Sequence, residues 1–417
     1  MGVEEHGTGE SRHRAVVVGG GIGGLAAAIG LARTGWQVVV CERAPALEPV
    51  GAGLVLWPNG VAALAALGLG DAVRQCGRTL AGTGLRRASG AWLSRTDGAR
   101  LASRYGHGLV AVARPELVDL LAGALPDGVV RLGTTVTDVT PGDAHTPAEV
   151  VCGQETLRAD LVVAADGLGS AVRRRLWPDH PAPGYRGYTA WRAVVGCADL
   201  DLGDSAAETW GRGDRFGVVP LSGGRAYVYA TAGADAGAHA PDPEVELTEL
   251  RRRFAGWHTP IPDLLARLTA ADLLRHDILS LEPPVQRLTT GRVVLLGDAA
   301  HGMEPNLGQG ACLALEDAVV LTAVLARSPA APALAAYTAA RAPRATRLSR
   351  QSRLLGVATR SRSSALAALR DAAVRCMPAA LAVRGFDDAA GWRPPALTLT
   401  SDPAPRRATD PTAQETS

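Results

Sequence analysis

Cysteine is scarce and dispersed in this chain of 417 residues. There are six, Cys41, Cys76, Cys152, Cys197, Cys312 and Cys376, and neighbours in that series lie at least 35 positions apart. No CxxC pair occurs and none clusters with histidine. That pattern excludes a zinc knuckle and a disulfide framework; it predicts reduced core thiols and no metal site. Phenylalanine is also rare, at three against eight tryptophans, and the tryptophans are expected at packing sites. An excess of one charge is missing too, since 43 basic and 41 acidic residues leave a net +2. Arginine supplies the basic residues and reads as scattered over solvated faces, so nothing argues for a nucleic-acid partner. Residues 1–14 are polar and lack the apolar core of a secretory signal. Residues 15–32 form an uncharged run of 18, long enough to suggest a membrane span. Six of the 18 are glycine and the run opens as a strand, so a strand-turn-helix is expected there and no span. The expectation is a soluble cytoplasmic protein, with monomer and homodimer both open.

What is abundant is glycine, at 49 residues, and it marks three segments far apart. The first is GGGIGG at 19–24, between an apolar run at 15–18 and a second β-rich run at 38–41. The spacing predicts a βαβ unit in which Gly19 permits the tight turn and Gly21 lets a pyrophosphate approach a helix N-terminus. Gly24 lets the helix pack closely on the strand. Glu42 closes the second strand, 18 residues after Gly24, where a carboxylate accepts hydrogen bonds from ribose hydroxyls and repels a 2′-phosphate; Arg43 sits beside it. The second segment is Asp166-Gly167, after an apolar strand at 161–165. The third is GDAAH at 297–301, after a strand at 292–296, and it leads into GQGA at 308–311. Asp298 is placed to bind ribityl hydroxyls, and Gly308, Gln309, Gly310 and Ala311 present N–H groups at a helix start. Pro305 stiffens the approach, while His301 reads as structural. All three segments in this order predict one extended dinucleotide threaded across the fold, with FAD the best candidate.

The fold class expected is α/β: a Rossmann-type FAD-binding unit with an inserted antiparallel-sheet substrate domain and C-terminal helices. The cofactor unit is assigned to 14–78, 111–184 and 285–390, and substrate-domain strands to 79–110 and 185–284. A disordered tail is expected over 397–417. Alternation predicts antiparallel strands over 80–105. Leucine spacing predicts a helix over 114–125, and a hairpin-type pair is expected at 132–139 and 150–157. Strand-like runs at 188–195, 216–220 and 226–230 surround a short Ser222-Gly223-Gly224 loop. A three-residue hairpin there sets Leu221 opposite Arg225 and Val219 opposite Tyr227. Arg215, Val219, Tyr227 and Tyr229 then share one sheet face. The plain alternative makes Arg215 a solvated loop-end arginine and Tyr227 core packing.

With these motifs in place, the chain resembles the para-hydroxybenzoate hydroxylase-like class A flavoprotein monooxygenases. VVGGGIGGLAAAIGLARTGWQVVVCER resembles their FAD fingerprint, AADGLGSAVRRRL their DG motif and LLGDAAHGMEPNLGQGACLALEDA their GD motif. VGAGLVLWPNG, GYTAWRAVV and FGVVPLSGGRAYVY are similar to the branch holding FAD-dependent urate hydroxylase and salicylate hydroxylases. The resemblance implies that NADPH or NADH reduces FAD transiently and that O2 adds to form a flavin C4a-hydroperoxide. That species then hydroxylates or epoxidises a small aromatic or heteroaromatic substrate. It further implies cofactor contacts from Arg114 and from the backbone near Val55 and Val136, and a role for Asp166-Gly167 toward both FAD and the nicotinamide. Arg215 and Tyr227 match positions that orient substrate in the urate-type enzymes. Those enzymes carry Asp just after the proline of the GD loop, where this chain has Asn306, a departure that argues against urate. No second GxGxxG occurs, which fits a class without a separate nicotinamide domain. A halogenase is the other enzymatic alternative, but its WxWxIP stretch is absent; a flavin-binding protein without turnover is the non-enzymatic one.

Overall fold

The computed structural model describes residues 13–47, 52–238, 240 and 242–399. The tail expected over 397–417 lies outside the described residues beyond 399, as do residues 48–51 of the loop that precedes Gly53.

Valine-rich runs too apolar to face water build the central sheet. Its six strands run in the order Thr289–Thr290, Val293–Leu295, Leu161–Ala164, Arg14–Val18, Gln37–Cys41 and Val130–Arg131. All neighbours are parallel except the first pair. Burial on both faces explains the unbroken apolar sequence of these strands. Helix Ile22–Arg33 follows the first strand, and helix Gly310–Leu325 packs against it across small residues. The glycine turn and the late helix are thereby brought to the same region of the sheet.

A second, seven-stranded sheet runs Leu274–Ser280, Gly184–Gly196, Arg225–Gly233, Arg215–Leu221, Ser205–Trp210, Gly82–Arg87 and Trp92–Asp97. Its outer face carries Trp191, Phe216, Val228 and Ala230, which share a core with Leu247, Leu250 and Phe254 of helix Pro243–Phe254 and with Leu264 of helix Ile261–Arg267. Its inner face meets the small sheet made by Gly53–Leu56, Leu109–Ala113 and Arg78–Leu80. A Cβ on Gly53 would stand 2.5 Å from that of Tyr227, so the two sheets approach backbone to ring. The class is thus mixed α/β, with a doubly covered parallel sheet, an antiparallel-rich sheet above it and helices at the C-terminus.

Two expected elements differ. Residues 98–105 are a helix, Gly98–Tyr105, and not the continuation of a strand. The Asp97 carboxylate accepts from the backbone N–H groups of Ala99 (2.7 Å) and Arg100 (3.2 Å), and Gly106 ends the helix at φ +86°. A strong cap at one end and a left-handed residue at the other override local alternation. The segment 150–157 is not one strand but two. Gly153 turns at φ +62°, and Ala148–Cys152 pairs back on Glu155–Ala159 with Val150 opposite Leu157. The true partner of Ala148–Cys152 on its other side is Val136–Thr140. Strands Ser205–Trp210 and Leu274–Ser280 were not anticipated, because their short mixed sequences give no clean period. Among the described residues no helix is long and apolar enough to cross a membrane.

Candidate cofactor and substrate site

The first glycine turn has the geometry of a pyrophosphate cradle. Gly19 sits at φ +105°, and a Cβ there would stand 2.5 Å from the Ala165 carbonyl oxygen. A Cβ on Gly24 would collide with the Gly19 carbonyl oxygen, so this glycine serves helix packing. Gly21, the N-cap of helix Ile22–Arg33, has nothing within 4 Å of a built Cβ, leaving an open approach to the first-turn N–H groups. Glu42 follows strand Gln37–Cys41, and its carboxylate accepts from Gly20 N–H (2.6 Å) and Ala44 N–H (2.9 Å). The acid is fixed at the mouth of the turn. Arg43 is exposed beside it.

The other two segments lie at the ends of the neighbouring strands. Asp166 follows Leu161–Ala164, and one carboxylate oxygen accepts from Ala171 N–H (2.8 Å) and Val172 N–H (3.2 Å), so it holds the start of helix Ala171–Leu176. Its other oxygen, Oδ1, is buried and has no protein partner. Gly167 turns at φ +77°. Arg173, unremarked in sequence beyond its place in a helix, is buried and donates to the carbonyls of Ala299 (2.8 Å) and Leu168 (2.6 Å). It clamps the second glycine segment to the third. There Gly297 adopts φ +62°, Asp298 is exposed, and Gly308 at φ +61° precedes Gln309, the N-cap of helix Gly310–Leu325. Pro305 opens a single 3-10 turn before it, and Ala311 is half-buried. Gln309 is 1% exposed, yet its Nε2 lacks a partner. Buried polar atoms almost always bond to something. Orphaned Gln309 Nε2 and Asp166 Oδ1, with the clearance at Gly21, fit a long polar ligand with donors and acceptors at both ends. Val55 lies in strand Gly53–Leu56, Val136 opens strand Val136–Thr140, and Arg114 is the exposed first residue of helix Arg114–Gly123.

A charged cluster that sequence reading missed sits behind the late helix. Glu316 and Asp317 are fully buried, and Arg341 donates to both, at 2.7 Å and 2.5 Å. Arg344 adds two bonds to Glu316 at 2.6 Å and 2.7 Å. Asp317 also accepts from Gly297 N–H (2.9 Å) and pairs with His301 Nε2 (2.6 Å), while Asn59 Nδ2 donates to Gln309 Oε1 (2.8 Å) and Glu316 Oε1 (2.7 Å). Burial raises the Asp317 pKa, but His301 and Arg341 outweigh it and bring the group down to about 2. Burial likewise opposes charge on His301, and the Asp317 carboxylate wins, holding the imidazole above its ordinary value. Two carboxylates, two guanidiniums and an imidazole therefore fix the GD loop and the helix N-terminus as one unit. The only sequence trace is the acid pair within an apolar helix.

Above this lies the inner face of the seven-stranded sheet. Leu221 is opposite Arg225 and Val219 opposite Tyr227, so Arg215, Val219, Tyr227 and Tyr229 do share a face. Arg215 is 3% exposed, which removes the solvated reading; it donates from Nε to Thr231 Oγ1 (3.0 Å) and from Nη2 to Asn306 Oδ1 (2.6 Å). Tyr227 is buried, and desolvation raises its pKa, so it is a neutral donor at physiological pH. Glu208, not foreseen, accepts from Tyr229 OH (2.5 Å) and Trp210 Nε1 (2.5 Å) and lies 3.6 Å from Arg215. Asn306 is saturated: its Oδ1 also accepts from Tyr188 OH (3.3 Å), and its Nδ2 donates to Glu304 (3.2 Å) and to the Ser352 carbonyl (2.9 Å). The substrate-side sheet is thus bonded directly to the GD loop.

This arrangement defines a class: an α/β flavoprotein whose second sheet is bonded to the loop of the third glycine segment. The chain belongs to the family described as FAD binding domain, whose profile matches residues 12–352. It is 40% identical over 320 residues to aurachin C monooxygenase/isomerase of Stigmatella aurantiaca, covering 76% of this chain and 82% of that one. It is 36% identical to FAD-dependent urate hydroxylase of Klebsiella pneumoniae at the same coverage. Among solved structures, Klebsiella pneumoniae HpxO complexed with FAD and uric acid superposes with a TM-score of 0.84 at 32% identity, over 91% of this chain and 96% of that one. A salicylate hydroxylase substrate complex gives 0.69 at 25% identity, over 90% and 98%.

Proposed function

We propose that the protein is a single-component, cytoplasmic FAD-dependent monooxygenase that takes electrons from NADPH or NADH and inserts one oxygen of O2 into a small N-heteroaromatic ring. In balance, ring–H, NAD(P)H, H+ and O2 give ring–OH, NAD(P)+ and water. The observation that carries this is the 2.6 Å bond between Arg215, on the sheet roof, and Asn306, in the loop that continues from Asp298. It holds a polar, water-poor face over the place prepared for the ring end of the cofactor. Relatives named for urate, 6-hydroxynicotinate and a 4(1H)-quinolone support a nitrogen-containing ring.

The bound flavin supplies the redox and oxygen-transfer chemistry. Glu42, Gly21 and Asp298 are assigned to its adenosine ribose, pyrophosphate and ribityl chain, and Gln309 to Ala311 to the electron-rich edge of its ring. Val55, Val136 and Arg114 are assigned to flanking contacts, with Asp166 and Gly167 shared with the nicotinamide. Tyr227 donates a hydrogen bond to a substrate oxygen or nitrogen. Arg215 steadies the roof through Asn306, Thr231 and Glu208, and its positive charge favours a substrate that develops negative charge on its ring. Asn306, with every polar atom in use, supplies no base.

Anaerobic rapid mixing of the FAD-loaded protein with NADPH and NADH, with and without a panel of hydroxylated pyridines, quinolones and phenols, tests the reading. Substrate-stimulated bleaching of the flavin and one 18O per product are expected; a flavin that neither nicotinamide reduces under any of these conditions would contradict it. Asp298→Ala removes a charged acceptor worth about 1.5–3 kcal/mol and should weaken FAD binding by roughly ten- to hundredfold. Unaltered FAD affinity would displace Asp298 from the ribityl chain.

A further inference from the structure

Nine large apolar side chains are exposed among the described residues. Six of them, Leu354, Val357, Leu366, Leu369, Met377 and Leu381, fall in one stretch of C-terminal helices. That stretch comprises the end of helix Ala330–Thr359, then helix Ser364–Cys376 and helix Ala379–Arg384. The middle helix has its polarity inverted. Its Asp371 points inward, buried, and accepts from Arg87 (2.9 Å) and Arg370 (2.7 Å). Arg370 in turn donates to the Gly211 carbonyl (3.2 Å) and lies over the Trp210 ring at 5.0 Å. Outward it shows Leu366 and Leu369, 56% and 67% exposed, among exposed alanines at 365, 368, 372 and 373. A helix that merely faces water presents the opposite pattern.

Part of the charge in the same stretch is unneutralised. Of the ten arginines at 340–384, Arg341, Arg344, Arg347, Arg353, Arg360 and Arg370 pair with carboxylates of Glu316, Asp317, Asp388, Glu282, Glu304 and Asp371. Arg350 and Arg375 are exposed and have no carboxylate within salt-bridge distance among the described residues. On helix Ala330–Thr359 the unneutralised Arg350 shares a face with exposed Leu354 and Val357, one and two turns on, which matches an interface that is apolar at depth and anionic at its surface. A second copy of this chain matches poorly, because arginine would meet arginine across the joint.

We propose that these C-terminal helices dock the enzyme on an anionic phospholipid bilayer, lying in the interface without crossing it. This goes beyond the monooxygenase reading and does not depend on it. The test is co-sedimentation of the full FAD-loaded chain with vesicles of mixed phosphatidylglycerol and phosphatidylcholine, against phosphatidylcholine alone. Binding to the anionic vesicles is expected to be about tenfold or more the stronger, and to weaken as salt is raised. The double variant L366E/L369E should lose about tenfold in partition while its flavin absorbance stays that of the parent. R350Q/R375Q, which leaves the leucines in place, should lose binding to anionic vesicles only. Failure to pellet with anionic vesicles, or equal pelleting of parent and L366E/L369E, overturns the proposal. So does light scattering that finds a dimer in the parent and a monomer in that variant, since the leucines would then belong to a second copy.

Discussion

Gly21 and Gly24 look alike in sequence but do different work, and substitution should separate them. A methyl on Gly24 collides with the Gly19 carbonyl within the protein itself, whereas one on Gly21 meets nothing within 4 Å. Gly24→Ala is expected to destabilise the apoprotein by about 1–3 kcal/mol, read as a lower urea midpoint before any cofactor is added. Gly21→Ala should leave that midpoint in place and cost FAD affinity, because the intruding methyl stands where a pyrophosphate would approach. Equal behaviour of the two apoproteins would mean that the turn is not divided in this way. Tyr227→Phe removes one hydroxyl from a buried ring stacked 5.5 Å from Tyr229. Its expected phenotype is retained FAD with poorer coupling of NAD(P)H consumption to product; unimpaired coupling would leave Tyr227 as packing alone. At this scale the sequence was legible wherever a glycine or acid carried a backbone requirement of its own. Arg215 could be placed on its face by counting alternate residues. Its burial and its bond to Asn306, 91 positions away, could not be read locally.

Helix Gly310–Leu325 shows how an element is set by partners outside it. The periodicity of Cys312, Leu315 and Val319 predicts its buried side, and all three are buried. Nothing in that periodicity explains why Glu316 and Asp317 are buried too. Their reason is Arg341, which reaches both from helix Ala330–Thr359. Arg341→Met would leave Glu316 with Arg344 alone and Asp317 with His301 alone as buried cationic partners, and a loss of about 3 kcal/mol is expected; a loss below 1 kcal/mol in chemical denaturation would show that the guanidinium is dispensable. The cluster also sets a pH window. Asp317, depressed to about 2 from an ordinary 3.8, contributes stability that is complete above the ordinary value and is lost as pH falls toward 2. His301, raised above an ordinary 6.5, contributes stability complete below that value and lost as pH climbs through its raised pKa. In His301→Gln the alkaline decline should flatten and the acid decline should shrink without vanishing, because Arg341 still lowers Asp317. An alkaline limb with its full slope in that variant would assign the loss to another group. The two misread elements, the helix Gly98–Tyr105 and the hairpin within 150–157, failed for the converse reason. Single residues, Asp97 and Gly153, overrode the pattern around them.

Across the whole molecule, the three glycine segments sit at residues 19–24, 166–167 and 297–311, yet they cap neighbouring strands of one sheet, joined by Arg173 and by the Asp317 cluster. The α/β class and the inserted antiparallel sheet were legible because each sheet has its own sequence character: valine-rich strands that each lead into a glycine turn in the first, and short strand-like runs separated by glycine and serine in the second. The direct bonding between sheet roof and cofactor loop was not legible, since it joins residues with no shared pattern. That joining has a thermodynamic consequence. A ligand that touches all three segments binds the folded chain and no unfolded one, so it stabilises the native state by mass action. Free FAD at a hundred times its dissociation constant should add about 2.7 kcal/mol. Differential scanning calorimetry should show this as one cooperative transition moving upward by several degrees, with the seven-stranded sheet melting together with the cofactor sheet because Arg215 and Tyr188 bond Asn306 in the loop that follows that sheet. If FAD instead splits the trace, raising one transition and leaving a second where it was, the roof unfolds independently and the site is not the single unit described above.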